Sequence, residues 1–333
     1  MNHSLQFNSQ TTSNGVTEHH PRTALVLGGG GSAGNAWLIG VIAGLFQAGL
    51  DATKADVIIG TSAGSTAAAQ ISCGIPPTEL LADILGAAPQ VRIAPVVSDG
   101  ARVPIPPAVN QPAVNQPPVN QPPVNQPAVN HMERTSRIIA AAEDAADMRR
   151  RMGAAALEMD AASDGSWQTR WRATVAARLT SQQWPERRIL ITAVDARTGD
   201  PVVFDRHSGV DLVDAIAAST SSGAPYSIGD SRYIDGGYRR NENADLAAGC
   251  ARVLVLSPFG GRSRHPLAWG MQLATQVDEL RAGGSRVETV FPDSNSEHMF
   301  GANAMDPSLR LPAARAGHNQ GRVLAEQLTD FWR

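Results

Sequence analysis

Short apolar runs bounded by glycine or proline recur along this chain, and longer stretches between them carry helical spacing. Thr23–Leu27 is a β-competent run ended by Gly28, and residues 56–59 form a second. Between them, residues 34–48 predict a helix with Gly49 as its C-terminal stop. Residues 62–72 predict a helix of small side chains, ended by Gly74 and Pro76-Pro77. Such a helix can lie close against a sheet. A short helix is expected over 78–85, a long one over 133–160, and another carrying the stripe Trp167, Trp171 and Val175. Residues 188–194 and 202–204 read as a hairpin across Thr198-Gly199-Asp200-Pro201. After it come a helix over 211–219, a loop over 219–225 and a strand over 232–234. The remaining expectations are a helical stretch at 243–248, strands at Arg252–Leu256 and 286–291, and helices at 269–282 and 313–332.

Alternation of strands with helices predicts an α/β protein with a mainly parallel central sheet and helices on both faces. Three polar turns, at 28–34, 60–64 and 235–237, each follow a predicted strand. They can therefore share one edge of the sheet, and in open α/β sheets sites lie at the carboxyl ends of strands.

Two segments depart from this pattern. Residues 1–22 are polar and predict a disordered tail, in which His19-His20 is no more than a tail dipeptide. Residues 106–130 read PPAVN QPAVN QPPVN QPPVN QPAVN. Proline in every unit excludes helix and central strand, leaving polyproline II or disorder. This is expected to be a tolerated surface insertion, or else a spacer or flap near the site mouth. Residues 23–333 are otherwise expected to form one domain.

Composition narrows the function classes. The 333 residues are 42% hydrophobic and 18% charged, with a formal charge of -3 and 5% aromatics. Neither a basic excess nor a base-stacking surface is present, so nucleic acid is not an expected partner. No apolar leader starts the chain, and residues 36–50, the longest apolar stretch, are too short and glycine-interrupted to span a bilayer. A cytoplasmic protein is expected. Cys73 and Cys250 lack metal-ligand spacing and are expected to be buried thiols. The pairs Met148/Met152 and Trp167/Trp171 suit ordinary core packing better than an acyl pocket.

The chemistry concentrates in the turns. Gly29-Gly30-Gly31-Ser32-Ala33-Gly34 fits GxGxxG, which is also the dinucleotide fingerprint. That reading wants an acid after the second strand, and Asp56 instead precedes it. Bare amides at a glycine turn can alternatively hold an oxyanion. Gly60-Thr61-Ser62-Ala63-Gly64 is the GxSxG pattern, in which a sharp strand-to-helix turn presents the Ser62 hydroxyl. Such a serine needs a base. His207, His265, His298 and His318 lie in undistinguished polar surroundings and read as surface histidines. Asp235 ends a strand and precedes Gly236-Gly237, which suits either a base or a turn aspartate bonded to local amides.

The glycine loop, Gly60-Thr61-Ser62-Ala63-Gly64 and Asp235-Gly236-Gly237, in this order, resemble the bacterial patatin-like phospholipases across residues 23–257, apart from the variable middle. The resemblance implies a three-layer α/β/α fold and a serine–aspartate dyad in place of a triad. By it, Ser62 would be the nucleophile and Asp235 the base. Backbone amides of Gly29, Gly30 and Gly31 would form the oxyanion hole, with Gly34, Gly60, Gly64, Gly236 and Gly237 as motif glycines. Asn243 and Asp245 follow the last motif with no catalytic role. The family often carries Arg or Lys before the last glycine of the first motif, whereas this chain has Ala33. The expected activity is hydrolysis of lipid carboxylic esters through an acyl-enzyme, with a lipid or other acyl ester as partner and at most peripheral membrane contact. No cofactor or metal is required, and calcium loops of the DxDxDG type are absent from the sequence. The rival readings are an α/β-hydrolase with a Ser–His–Asp triad and a non-catalytic lipid-binding protein.

Overall fold

A computed structural model describes residues 23–87, 128–161 and 165–332. The predicted tail and most of the proline repeat lie outside them. The first half contains β1 (Thr23–Leu27), α1 (Gly31–Gln47), β2 (Val57–Gly60), α2 (Ala63–Ile71), α3 (Pro77–Gly86), α4 (Ala128–Ala141), α5 (Ala145–Ala161) and α6 (Ser166–Ala176). Then come β3 (Arg188–Asp195), β4 (Pro201–Phe204), α7 (Leu212–Ser219), β5 (Tyr226–Ile228) and β6 (Ser231–Asp235). The remainder holds β7 (Arg252–Leu256), α8 (Leu273–Ala282), β8 (Arg286–Val290) and α9 (Arg310–Trp332), with short 3-10 turns between elements.

These strands form one sheet in the order β5-β6-β3-β2-β1-β7-β8, with β4 paired to β3. Strand side chains alternate between two cores. Leu25, Leu27, Ile58, Ile191 and Leu254 face α1, α2, α7 and α9. Ala24, Val26, Ile59, Val253 and Val255 face α8 and the 3-10 turn Ala244–Ala247. The result is the expected three-layer α/β/α arrangement. No helix among the described residues is long and apolar enough to cross a membrane. Cys250 is buried and Cys73 only half-buried, and neither is in a disulfide.

The parallel reading holds for β3-β2-β1-β7-β8 but not for β6, which runs antiparallel to β3. Ile191 pairs with both Gly60 and Phe204, and Ala193 with both Val202 and Asp235. A residue can have two ladder partners only on opposite edges, so β4 takes one edge of β3, and β2 and β6 share the other. Those two strands run toward each other and stop at Thr192. Asp235 thus reaches the end of β2 from the opposite direction to Ser62, which is why a turn after an antiparallel strand still joins the turns after β1 and β2.

Other differences have local causes. α1 begins at Gly31, not residue 34, because the Gly34 N–H closes a turn onto the Gly30 carbonyl. The helix expected over 133–160 is broken at 142–144. There the Asp144 carboxylate accepts from the Asp147 N–H while the Asp147 carboxylate accepts from the Glu143 N–H, a reciprocal cap that starts α5. α4 starts at Ala128, inside the last repeat unit, because Ala128, Val129 and Asn130 carry no proline. α8 starts at Leu273 because Gly270, with φ +63°, separates it from the turn Leu267–Trp269. β5 has no counterpart among the predicted strands because it is three residues long and is held only by its hairpin with β6.

α1 and α9 touch backbone to backbone. A Cβ on Gly40 or Gly44 would lie 2.2 Å from the carbonyl oxygen of Ala314 or His318. From the other side, a Cβ on Gly317 or Gly321 would lie 2.4 or 2.2 Å from that of Trp37 or Val41. Alanine is favoured over glycine inside a helix by about 0.5–1 kcal/mol, so the contact must outweigh that gain. Gly44→Ala and Gly321→Ala are each expected to lower thermal stability by about 1–3 kcal/mol. Gly86→Ala, whose Cβ meets nothing within 4 Å, should not. Thermal melts of the three proteins check this, and an unchanged Gly44→Ala melt would refute the contact.

Candidate active site

Ser62 links β2 to α2 with φ 52° and ψ -118°. Among the described residues only Asn243 is another non-glycine with positive φ. Such a backbone costs about 1–3 kcal/mol and persists only where its surroundings fix it. The Ser62 N–H donates to Ser219 Oγ at 3.0 Å, and Ser65 Oγ donates to the Ser62 carbonyl at 2.6 Å. Behind the turn, a Cβ on Gly64 would lie 1.9 Å from the Leu27 carbonyl oxygen, so α2 can seat against β1 only with glycine there.

Asp235 ends β6 and is 8% exposed. Its Oδ2 accepts from Ser62 Oγ at 2.7 Å and its Oδ1 from the Gly237 N–H at 2.8 Å. Its own N–H donates to the Ser221 carbonyl. Burial pushes its pKa up to about 6, against the opposing pull of the Gly237 amide and the Ser62 hydroxyl. Gly236 fits where β6 meets β3; a Cβ would lie 2.3 Å from Thr192 Oγ1. Beneath the junction, Asn243 Nδ2 lies 2.9 Å from Thr61 Oγ1, 3.2 Å from the Gly236 carbonyl and 2.7 Å from the Arg240 carbonyl. Arg239 holds Asn243 Oδ1 at 2.6 Å and pairs with Asp245. Asn243 and Asp245, given no catalytic role from sequence, therefore brace both turns from behind.

The glycine loop needs one correction. The Gly29 N–H donates to the Asn241 carbonyl at 3.0 Å and is not available to an oxyanion. The amides of Gly30 and Gly31 find no acceptor among the described residues, nor does that of Ala63. They are first-turn donors, or the residue just before them, at the N-termini of α1 and α2. Ala63 escaped the sequence reading, although its place directly after the serine of a GxSxG turn is a usable signal. Ser219, Ser221 and Asn241 also escaped it, because only tertiary contacts bring them to the site.

These groups open into a cavity of about 350 Å³. Met132, Thr135 and Ile139 of α4 line it, as do Met152 of α5 and Trp171 of α6, so three core side chains, Ile139, Met152 and Trp171, also face the site. His265 lines the cavity too and is not a surface histidine. It lies against Ser263 Oγ and stacks on Trp269, and its pKa is lowered to about 4, chiefly by burial. His131, absent from the candidates, lines the cavity beside Arg134, with its pKa also lowered to about 4 by burial. Neither hydrogen-bonds Ser62. His207 and His298 are exposed, and His318 bonds Gln47.

The family model described as patatin-like phospholipase matches residues 25–248. No curated protein matches the chain. A similar solved structure is the crystal structure of VipD from Legionella pneumophila, at 11% identity and a TM-score of 0.40, covering 92% of this chain and 67% of that one.

The raised pKa of Asp235 has a consequence for stability. Folding disfavours the charged carboxylate, so this group's contribution is fully present below the ordinary value of 3.8 and is lost as pH rises through about 6. Asp235→Asn should therefore melt above the unaltered protein at pH 7.5, by up to about 3 kcal/mol, and the difference should vanish near pH 3.5. Paired melts across that range check it; a variant less stable at pH 7.5 would contradict the assigned burial cost.

Proposed function

The chain belongs to the patatin-like phospholipase family, and from that premise we propose that it is a serine acyl hydrolase cleaving lipid carboxylic esters through Ser62 and Asp235. The observation that carries this reading is the 2.7 Å hydrogen bond from Ser62 Oγ to a buried carboxylate, at a strained turn opening into a cavity. Asp235 Oδ2 takes the Ser62 proton as Oγ attacks the ester carbonyl. Amides of Gly30 and Gly31, with Ala63, donate to the resulting oxyanion, each worth about 3–4 kcal/mol in such a setting. The intermediate collapses, the alcohol leaves with the proton from Asp235, and an acyl-enzyme remains. Water then gives its proton to Asp235 and attacks the acyl carbon. Collapse returns the proton to Ser62 and releases the acid. A carboxylate with a pKa of about 6 suits this task, being ionised at neutral pH yet more basic than a solvated one.

A serine-directed fluorophosphonate should label the unaltered protein and not Ser62→Ala. Labelling should rise about tenfold per pH unit below pH 6 and level off above it, because Asp235 must be ionised to accept the proton. Asp235→Asn should slow it by about 10²–10⁴-fold, while His131→Gln and His265→Gln should still label. Loss of labelling in a folded histidine variant would favour a triad. A folded but unlabelled parent protein would favour a non-catalytic lipid binder.

A further inference from the structure

The cavity holds charge that the ester chemistry does not use. Among the described residues lining it, Asp235 is the sole carboxylate, against Arg178, Arg262, Arg264 and Arg310. Since the whole chain carries a formal charge of -3, this positive charge is local. Arg264 is occupied in tying down α4, through the Met132 carbonyl, Thr135 Oγ1 and Ser136 Oγ. Arg262 donates to the Phe259 carbonyl.

Arg178 and Arg310 are placed differently. Arg310, the first residue of α9, donates to the Ser32 carbonyl at 3.0 Å and to Asn35 Oδ1 at 3.3 Å. Its guanidinium thus sits on the glycine loop, next to Gly31. Arg178, just beyond α6, lies over the Trp171 ring, 5.5 Å from its centroid, and its guanidinium donates to no described residue. A relay ties the Arg310 guanidinium to the Arg178 backbone, because Asn35 Nδ2 donates to Gln70 Oε1 and Gln70 Nε2 to the Arg178 carbonyl. Neither guanidinium has an ion-pair partner among the described residues. Burial lowers the pKa of both, and the nearby charge of Arg178 helps bring Arg310 to about 10. Two half-buried like charges with only neutral partners carry a desolvation cost, and an anion between them would supply the missing countercharge. Two guanidinium forks match a tetrahedral phosphate better than a single carboxylate.

We propose that Arg178 and Arg310 form an anion subsite that takes the phosphate of a lipid head group while the lipid's acyl ester lies at Ser62. The proposal rests on the acyl hydrolase reading for its substrate class. It makes the two arginines specificity determinants. Ala33 leaves the glycine loop without a cation of its own, and Arg310 supplies one from the far end of the sequence.

The test has a binding arm and a turnover arm on the full chain. In the first, glycerol 3-phosphate, inorganic phosphate and glycerol are titrated calorimetrically into Ser62→Ala. Glycerol 3-phosphate should bind, glycerol should not, and adding Arg178→Gln or Arg310→Gln should weaken binding by about tenfold or more, with Arg310→Lys partly restoring it. In the second, kcat/KM is measured for a phosphatidylglycerol and for a diacylglycerol of the same acyl chains in mixed micelles. The ratio of the two should fall by about tenfold or more in each Gln variant, a change that general damage to the site would not produce. An unmoved ratio overturns the proposal. Inorganic phosphate binding as tightly as glycerol 3-phosphate, with an unmoved ratio, would assign the pair to free phosphate instead. If Arg310→Gln does not fold, Arg178→Gln alone decides, since its guanidinium anchors no described residue. Failure of the parent protein to label with fluorophosphonate would sink the hydrolase reading while leaving the phosphate titration to be judged separately.

Discussion

Everything at the site depends on two strands meeting end to end on one edge of β3. Thr192 marks the junction. Its hydroxyl contacts Thr61 Oγ1, its carbonyl crowds Gly236, and the Asn243 amide closes the gap from behind. Because β2 and β6 stop there from opposite sides, the serine and the carboxylate face each other with no side chain between them. A parallel arrangement would have set them side by side at the ends of neighbouring strands. The head-on arrangement also buries the carboxylate, which raises its basicity.

The second support is the N-terminus of α1. Gly30 and Gly31 offer amides there because the helix leaves its first donors unsatisfied. Where that helix end sits is set on its far side by α9, whose glycines let the two backbones touch. α9 in turn begins with Arg310, bonded to Ser32 and Asn35. One helix pair therefore fixes the amide donors and brings a cation to the same loop. Residues 25–248, the span of the family match, contain the serine and the aspartate but not α9.

Much of this was legible in the sequence where the determinants are local. β1, β2, β3 and β7 announce themselves as apolar runs, and Ser62 and Asp235 stand in short turns whose glycines have a steric reason to be there. Direction was not legible. Nothing in Arg232-Tyr233-Ile234 tells which way β6 runs, since strand orientation follows from pairing with residues forty positions away. The same limit hid Gly29, whose amide is taken by Asn241, and Arg310, whose role appears only when α9 docks on α1. The break before α5 was readable in principle, because Asp144 and Asp147 have capping spacing, but the long alanine-rich pattern obscured it.

The glycine contact between α1 and α9 also bears on how the chain is made. α1 is among the first described elements to leave the ribosome, and α9 follows Gln47 by more than 260 residues. At about 5–20 residues per second, α1 waits roughly 13–50 s for the helix that covers it. Its face toward α9, with Trp37, Val41 and Leu45, lacks that cover throughout the interval. A nascent chain can form the serine turn early, but it acquires its firmly seated amides only when α9 arrives. The glycine loop is thereby among the last parts of the described fold to set, although it is among the first to be made.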